Sequence, residues 1–210
     1  MSSVLVFGAT GYVGKHFIEQ YGDDYNLVAM PGSSVLDFTD ISLEQLDTLL
    51  PDKISGVLFL QGKNPSVGMH ELSDEDFRQM TAINIMSPLK IIRHIEDRLC
   101  PGAGVVFVSS VAGKKGSYDP SYSIAKAGLG GLQATMTRWF PKLRFNTVSL
   151  GLVEGSPVHS GMTPDFVEKH KQSMSGSLVQ VDDVCKALDL LLQCQSVSNA
   201  VIDVDRGFKF

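Results

Sequence analysis

The sequence predicts an α/β fold built on a doubly wound parallel sheet of about six strands. Six short apolar runs, at residues 4–7, 26–30, 56–60, 104–108, 144–150 and 200–204, have the Val, Leu, Ile and Phe content of strands covered on both faces. Segments with helical periodicity alternate with them, as crossover helices do in a parallel sheet. The first run opens directly into a glycine-rich loop.

Each helical segment has its own signals. Residues 12–21 place Val13, Phe17, Ile18 and Tyr21 on one stripe, and Gly22 ends it. Residues 42–50 open with Ser42-Leu43-Glu44-Gln45, a capping-box pattern, and Pro51 closes them. Residues 74–99 form a longer helix with Pro88 inside, which predicts a kink or break. Residues 120–140 are helical by pattern despite Gly128, Gly130 and Gly131, and Pro141 stops them. Residues 181–193 form a last amphipathic helix, and residues 154–180 show no clear pattern. One connection is anomalous. Only residues 31–34 separate Met30 from Val35, whereas a parallel crossover needs about a dozen residues. Val35-Leu36-Asp37 is therefore expected as coil along the sheet edge or as a short irregular strand, so that the sheet is truncated between its second and third strands.

Composition narrows the function. A length of 210 residues, 43% hydrophobic, suits one domain spanning 1–210. Lys and Arg number 18 against 23 Asp and Glu, a net charge of −5, which argues against a nucleic-acid binder and against attachment to anionic lipid by charge. No apolar stretch approaches the about 20 residues of a membrane span, and the N-terminus has no basic region of a signal peptide. Cys100, Cys185 and Cys194 are widely spaced and read as free thiols of a cytoplasmic protein, with no pair to hold a metal.

Gly8-Ala9-Thr10-Gly11-Tyr12-Val13-Gly14 joins the first strand to the first helix. Glycines so placed give the turn, the close approach of backbone to a phosphate and a tight helix–strand contact, which makes the sheet Rossmann-like. Gly8, Thr10, Gly11, Tyr12, Val13 and Gly14 are the candidate pyrophosphate contacts; a purely structural turn is the alternative. At the end of the second strand, where an acidic residue would hold a ribose 2′-hydroxyl, the sequence reads Met30-Pro31-Gly32-Ser33-Ser34. Ser33 and Ser34 suit a phosphate, which favours NADP(H) over NAD(H). Asp37 is placed to reach an adenine or, equally, to cap a turn.

Tyr122 and Lys126, four residues apart, share a helix face. A nearby cation favours a phenolate and is expected to lower the phenol pKa from about 10, suiting it to proton transfer. Ser110 ends the strand twelve residues earlier, at the strand termini that line a ligand crevice. Ser109 beside it reads as a polar strand end, and Lys126 alone could be a surface lysine.

Taken in order, the motifs resemble those of the short-chain dehydrogenase/reductase family along nearly the whole chain. They are Gly8, Gly11 and Gly14; Asn84 in Ala82-Ile83-Asn84-Ile85; Val108-Ser109-Ser110-Val111-Ala112-Gly113; Tyr122-x-x-x-Lys126; Asn146 to Gly151; and Ile202 to Gly207. The resemblance implies a compact member in which hydride passes between a nicotinamide and a carbonyl or alcohol carbon. It makes Tyr122 the general acid/base, Lys126 the residue that tunes it and holds the nicotinamide ribose, Ser110 the residue that orients the reacting oxygen, and Asn84 the anchor of a proton-relay water. For Asn84, satisfying backbone at a helix irregularity near Pro88 is the other reading. The family's Asn-Asn-Ala-Gly reads Phe59-Leu60-Gln61-Gly62 here, and its Pro-Gly reads Leu150-Gly151; Gln61, Gly62 and Gly151 are carried over as cofactor contacts on that alignment. The family also implies a homodimer or homotetramer.

Residues 154–180 are expected to form a substrate lid over a small-molecule substrate. The segment contains His159, Met162, Phe166, Lys169, His170 and Lys171, which with Lys114 and Lys115 form either a basic rim for an anionic substrate or a solvated face. Two other functions are open to such a chain: a non-catalytic NAD(P) sensor or partner-binding protein, which has no need of Ser110, Tyr122 and Lys126, and an epimerase or dehydratase with tightly held cofactor, which the short C-terminal part disfavours.

Overall fold

The computed structural model describes residues 2–64 and 66–209. Its sheet is parallel throughout, in the order β2-β1-β3-β4-β5-β6, with β1 at Ser3–Phe7, β2 at Leu27–Ala29, β3 at Ile54–Phe59, β4 at Leu99–Ser110, β5 at Arg144–Leu150 and β6 at Val201–Val204. Side chains alternate across such a sheet, so each strand feeds two cores. Leu5, Phe7, Val57, Phe59, Val105, Phe107 and Phe145 face one side. There Phe7, Phe59, Phe107 and Phe145 form a ladder across four strands, with ring centroids 5.2, 5.5 and 6.4 Å apart. Val4, Val6, Leu58, Val106 and Val148 face the other side.

Helix α1 (Tyr12–Tyr21) and α9 (Val181–Gln193) cover the valine face, and both have the bounds read from the sequence. The last carbonyls of α9 are closed by a residue on the sheet. Arg144, 5% exposed, donates to Leu191 O, Leu192 O and Cys194 O at 2.7–2.9 Å, and to Gly102 O at 3.0 Å. The phenylalanine face is covered by α4 (Ser87–Ile95) and α6 (Pro120–Trp139), through Ile91, Ile92, Ile95, Leu129, Leu132 and Met136.

The long helix read at 74–99 is broken. Helix α3 (Asp74–Thr81) passes into a π-helical turn at Ala82–Met86 before α4, and a 3-10 turn at Glu96–Arg98 follows. Pro88 has no N–H to give the carbonyl four residues back, that of Asn84, and its ring crowds that carbonyl; the widened turn falls there. Leu99, read as the helix end, already pairs with Ile54 as the start of β4. The capping box read at Ser42 is half formed: Ser42 accepts from Gln45 N, and α2 spans only Leu43–Asp47.

The truncated edge is present, with β2 outermost. Residues 35–37 are coil. Val35 N and Leu36 N both bond Gly32 O, which turns the chain, and Leu36, Phe38 and Ile41 then bury against the phenylalanine face.

Candidate active site

In a parallel sheet the C-terminal strand ends share one edge. That edge brings the loop after β1, Gln61 and Gly62 after β3, Ser110 at the end of β4 and Gly151 after β5 to the same side of the molecule.

The glycine loop is held by close backbone contacts. Gly8 has φ +82°, and a Cβ there would sit 2.5 Å from Gln61 N; one on Gly14 would sit 2.3 Å from Gly8 O. Gly11 precedes α1 with no side-chain cap. The first helical bond runs from Lys15 N to Gly11 O, leaving the N–H groups of Tyr12, Val13 and Gly14 at the open helix end. The Tyr12 hydroxyl donates to Glu154 O at 2.8 Å and ties this loop to the segment over the site.

At the neighbouring edge, a Cβ on Gly32 would meet Thr10 Oγ1 at 3.0 Å, so the β2 turn lies beside the loop. Ser33 and Ser34 are exposed there. The Asp37 carboxylate accepts from Thr39 N at 2.8 Å and Thr39 Oγ1 at 2.7 Å, and these bonds hold its pKa below the usual carboxylate value. Asp37 thus caps its own turn.

Tyr122 and Lys126 are phased by Asp119, which sequence reasoning missed. Asp119 is 2% exposed; its Oδ1 accepts from Tyr122 N at 3.0 Å and Ser121 Oγ at 2.6 Å, and its Oδ2 from Val67 N at 3.1 Å. The Asp-Pro pair at the N-cap and first position of α6 was the available signal. Ser109 donates to Lys126 O at 2.9 Å and pins the helix to β4. Lys126 is 6% exposed, and its Nζ donates to Val108 O at 2.8 Å and lies 5.8 Å from the Tyr122 ring centroid. Burial pushes the ammonium down to about 8.

The expected lowering of the Tyr122 phenol is corrected by its surroundings. Burial raises its pKa above 10, a hydrogen bond with Ser110 pulls against that, and the Asp119 charge adds to the rise. Ser110 Oγ also accepts from Ala112 N at 3.2 Å. Asn84 is buried in the π turn; its Nδ2 donates to Met80 O at 3.0 Å, so the backbone-satisfying role is real, while its Oδ1 has no hydrogen-bond partner. Gly62 lies above this group: a Cβ there would be 3.4 Å from Lys126 Nζ and 3.6 Å from Asn84 Oδ1. Gly151 is instead set beneath the covering segment, where a Cβ would meet Met174 Cε at 2.7 Å.

The covering segment has structure that the sequence pattern did not show. Helices α7 (Pro157–Ser160) and α8 (Pro164–Ser173) each begin on a proline, Val153 pairs with Val179, and Met174 is fully buried. Phe166 of α8 meets Tyr118, on the loop before α6, edge to face at 5.9 Å. The basic-rim reading loses one member, because Lys114 pairs with Asp203.

The six-stranded parallel sheet with its glycine cradle at the carboxyl edge defines a Rossmann-type α/β protein. The sequence pattern of the family described as enoyl-(acyl carrier protein) reductase matches residues 44–209. An uncharacterized short-chain type dehydrogenase/reductase, y4vI of Sinorhizobium fredii, is 25% identical over 242 aligned residues, covering 98% of this chain and 43% of that protein. Asnovolin H dehydrogenase nvfC of Aspergillus novofumigatus is 28% identical over 184 residues, covering 78% of this chain and 69% of the relative. The chain thus spans less than half the length of the first of these. A short-chain dehydrogenase/reductase from Brucella melitensis has the same fold, with a TM-score of 0.88 at 18% identity over 100% of this chain and 97% of that one. So does a small-chain dehydrogenase in complex with NADPH, with a TM-score of 0.84 at 17% identity over 99% and 98%. The chain belongs to the short-chain dehydrogenase/reductase family.

Proposed function

We propose that this chain is an NAD(P)(H)-dependent oxidoreductase acting on a carbonyl or alcohol carbon of a small molecule, with Tyr122 as general acid/base. The observation that carries the reading is the meeting of the Tyr122 and Ser110 hydroxyls beside a buried Lys126, at the sheet edge that also holds the glycine cradle.

The residues present fit a dinucleotide. The cradle at Gly8 and Gly14 is space that a Cβ would fill, and the first-turn N–H groups of Tyr12, Val13 and Gly14 suit a pyrophosphate. Thr10, Gly11, Gln61, Gly62 and Gly151 would complete the contacts, with Lys126 at the ribose. When bound, the nicotinamide supplies or accepts the hydride. The protein's own part is to move the proton. The Tyr122 hydroxyl gives a proton to a developing alkoxide in reduction and takes one in oxidation, and Ser110 orients that oxygen. Lys126 carries positive charge below about pH 8, with its Nζ 5.8 Å from the Tyr122 ring centroid, and burial keeps the Tyr122 hydroxyl protonated and ready to donate. Asn84 anchors a water that leads protons on from Lys126.

Three finer readings complete the proposal. Ser33 and Ser34, next to the Gly32 that adjoins Thr10, favour NADP(H); structural neighbours are solved with NADPH and with NADH alike. Residues 154–180 act as the substrate lid within a single domain of residues 1–210. Phe77 and Met86, and Ile124 and Trp139 on α6, expose apolar surface suited to a homodimer or homotetramer. Among the described residues no helix is long and apolar enough to cross a membrane. The free thiols of Cys100, Cys185 and Cys194 are the feature that supports a cytoplasmic setting. Calorimetry with NADPH and with NADH tests the core of the reading. Binding is expected for at least one, with NADPH tighter; binding of neither overturns it.

A further inference from the structure

We propose that Gln61 is a positioning residue beneath the catalytic centre: it shares with Asn84 the hold on the one water that the proposed function already places against the Lys126 ammonium. The inference rests on the assignment of Lys126 and Asn84 to that centre.

Two buried carbonyl oxygens, Gln61 Oε1 and Asn84 Oδ1, have no hydrogen-bond partner. Buried acceptors are rarely left so, because each loses its hydration without replacement. Both residues line one small cavity of about 10 Å3, with Lys126 as its cationic wall and Phe59, Phe107 and Leu129 among its apolar walls. That space is close to the about 10–15 Å3 needed for a single water. The Lys126 ammonium has three N–H groups, of which Val108 O takes one. A water has the matching complement: it donates one hydrogen to each orphan oxygen and accepts an N–H from Lys126.

The backbone fixes Gln61 in this place. Gly8 packs directly against its backbone N, which a Cβ on Gly8 would approach to 2.5 Å, so the start of this loop is seated on the glycine loop. The phenylalanine ladder walls the cavity on the sheet side through Phe59 and Phe107. The glutamine is therefore the polar group that the loop after β3 contributes there. Its carbonyl steadies the water, and the water's lone pair in turn favours the charged form of Lys126.

The test measures the Lys126 side chain itself. The protein is labelled with 15N-lysine, its Lys126 amine signal is assigned by loss in Lys126→Arg, and the signal is titrated in wild type, Gln61→Leu and Gln61→Glu. Removing the acceptor in Gln61→Leu is expected to lower the Lys126 midpoint by about one pH unit, the scale of a hydrogen bond to a charged group. Gln61→Glu, which keeps an acceptor oxygen and adds charge, is expected to raise it. A crystal structure at high resolution should show a water within hydrogen-bond distance of Gln61 Oε1, Asn84 Oδ1 and Lys126 Nζ. Equal midpoints in folded wild type and both variants, or a Gln61 amide turned out of the cavity, overturn the inference while leaving the proposed function standing. Full turnover by Tyr122→Phe on a substrate found by screening overturns the proposed function, and the titration still decides the water site.

Discussion

At the ends of β3, β4 and β5 the chain surrounds Tyr122 and Lys126 with buried partners: Asp119 beneath the helix start, Ser109 on the Lys126 carbonyl, Val108 O on its ammonium. At the end of β2, Ser33, Ser34 and Asp37 lie exposed in a turn at the outer edge of the sheet. The two regions serve opposite ends of the proposed cofactor site. The difference teaches what cover by neighbouring strands does for a site. The central strands are covered on both faces and by neighbours on both sides. The edge strand has one neighbour and three residues. Burial at the first region makes charge costly and shifts pKa values; exposure at the second leaves each hydrogen bond in competition with water.

Substitutions in the two regions should differ in size accordingly. The largest effect is expected at Tyr122. Tyr122→Phe should cut turnover by about 10²–10⁴-fold, the usual worth of a general acid/base, with NADPH affinity unchanged by calorimetry. Next come glycines of the two regions. Gly8→Ala forces a side chain onto φ +82° and into Gln61 N; the conformation alone costs about 1–2 kcal/mol, so urea unfolding should show at least that loss and cofactor binding should fail. Gly32→Ala meets only the end of the Thr10 side chain, and should stay within about 0.5 kcal/mol of wild type.

The pH dependence of stability sharpens the comparison from another side. The Lys126 amine titrates at about 8 when folded and at about 10.4 when unfolded. Between those values the unfolded chain binds more protons, so Lys126 makes stability rise with pH across that window. Its cost is fully present below pH 8. Wild type should therefore gain on Lys126→Met by on the order of 2–3 kcal/mol between pH 7.5 and 10.5, read from denaturant midpoints. A flat difference would show that the amine is solvated. The smallest effect is expected at the exposed turn. Replacing Ser33 and Ser34 by alanine should weaken NADPH binding about 2–10-fold, the range of one ordinary hydrogen bond, and leave NADH binding as it was. Equal weakening of both cofactors would remove the NADP(H) preference from these serines.

How much was legible in the sequence follows from how local each signal is. Residues 12–21, 144–150 and 181–193 have the same bounds in sequence and structure, because their apolar spacing already states which face is covered. The coil at 35–37 was legible from chain length alone, since a crossover has no room. Helices α7 and α8 were not, because four and ten residues starting on prolines carry little periodicity. The π turn was foreshadowed by Pro88, but its widening around Asn84 depends on what packs there. Lys114 illustrates the same limit: its partner Asp203 lies far along the chain, on β6.

The amino-acid order by itself determined the alternation of strands and helices, the glycine loop after β1, the truncated edge, and the spacing of Ser110, Tyr122 and Lys126. Those are properties of backbone geometry and local periodicity, which neighbouring residues carry in full. Tertiary structure alone decided that burial raises the Tyr122 phenol and lowers the Lys126 ammonium, that Asp37 is spent on its own turn, and that Gln61 and Asn84, each with an orphan side-chain oxygen, line one cavity. Desolvation and hydrogen-bond partnership depend on which distant segments close over a side chain, and that is settled only when the sheet, α6 and the loops after the strands meet.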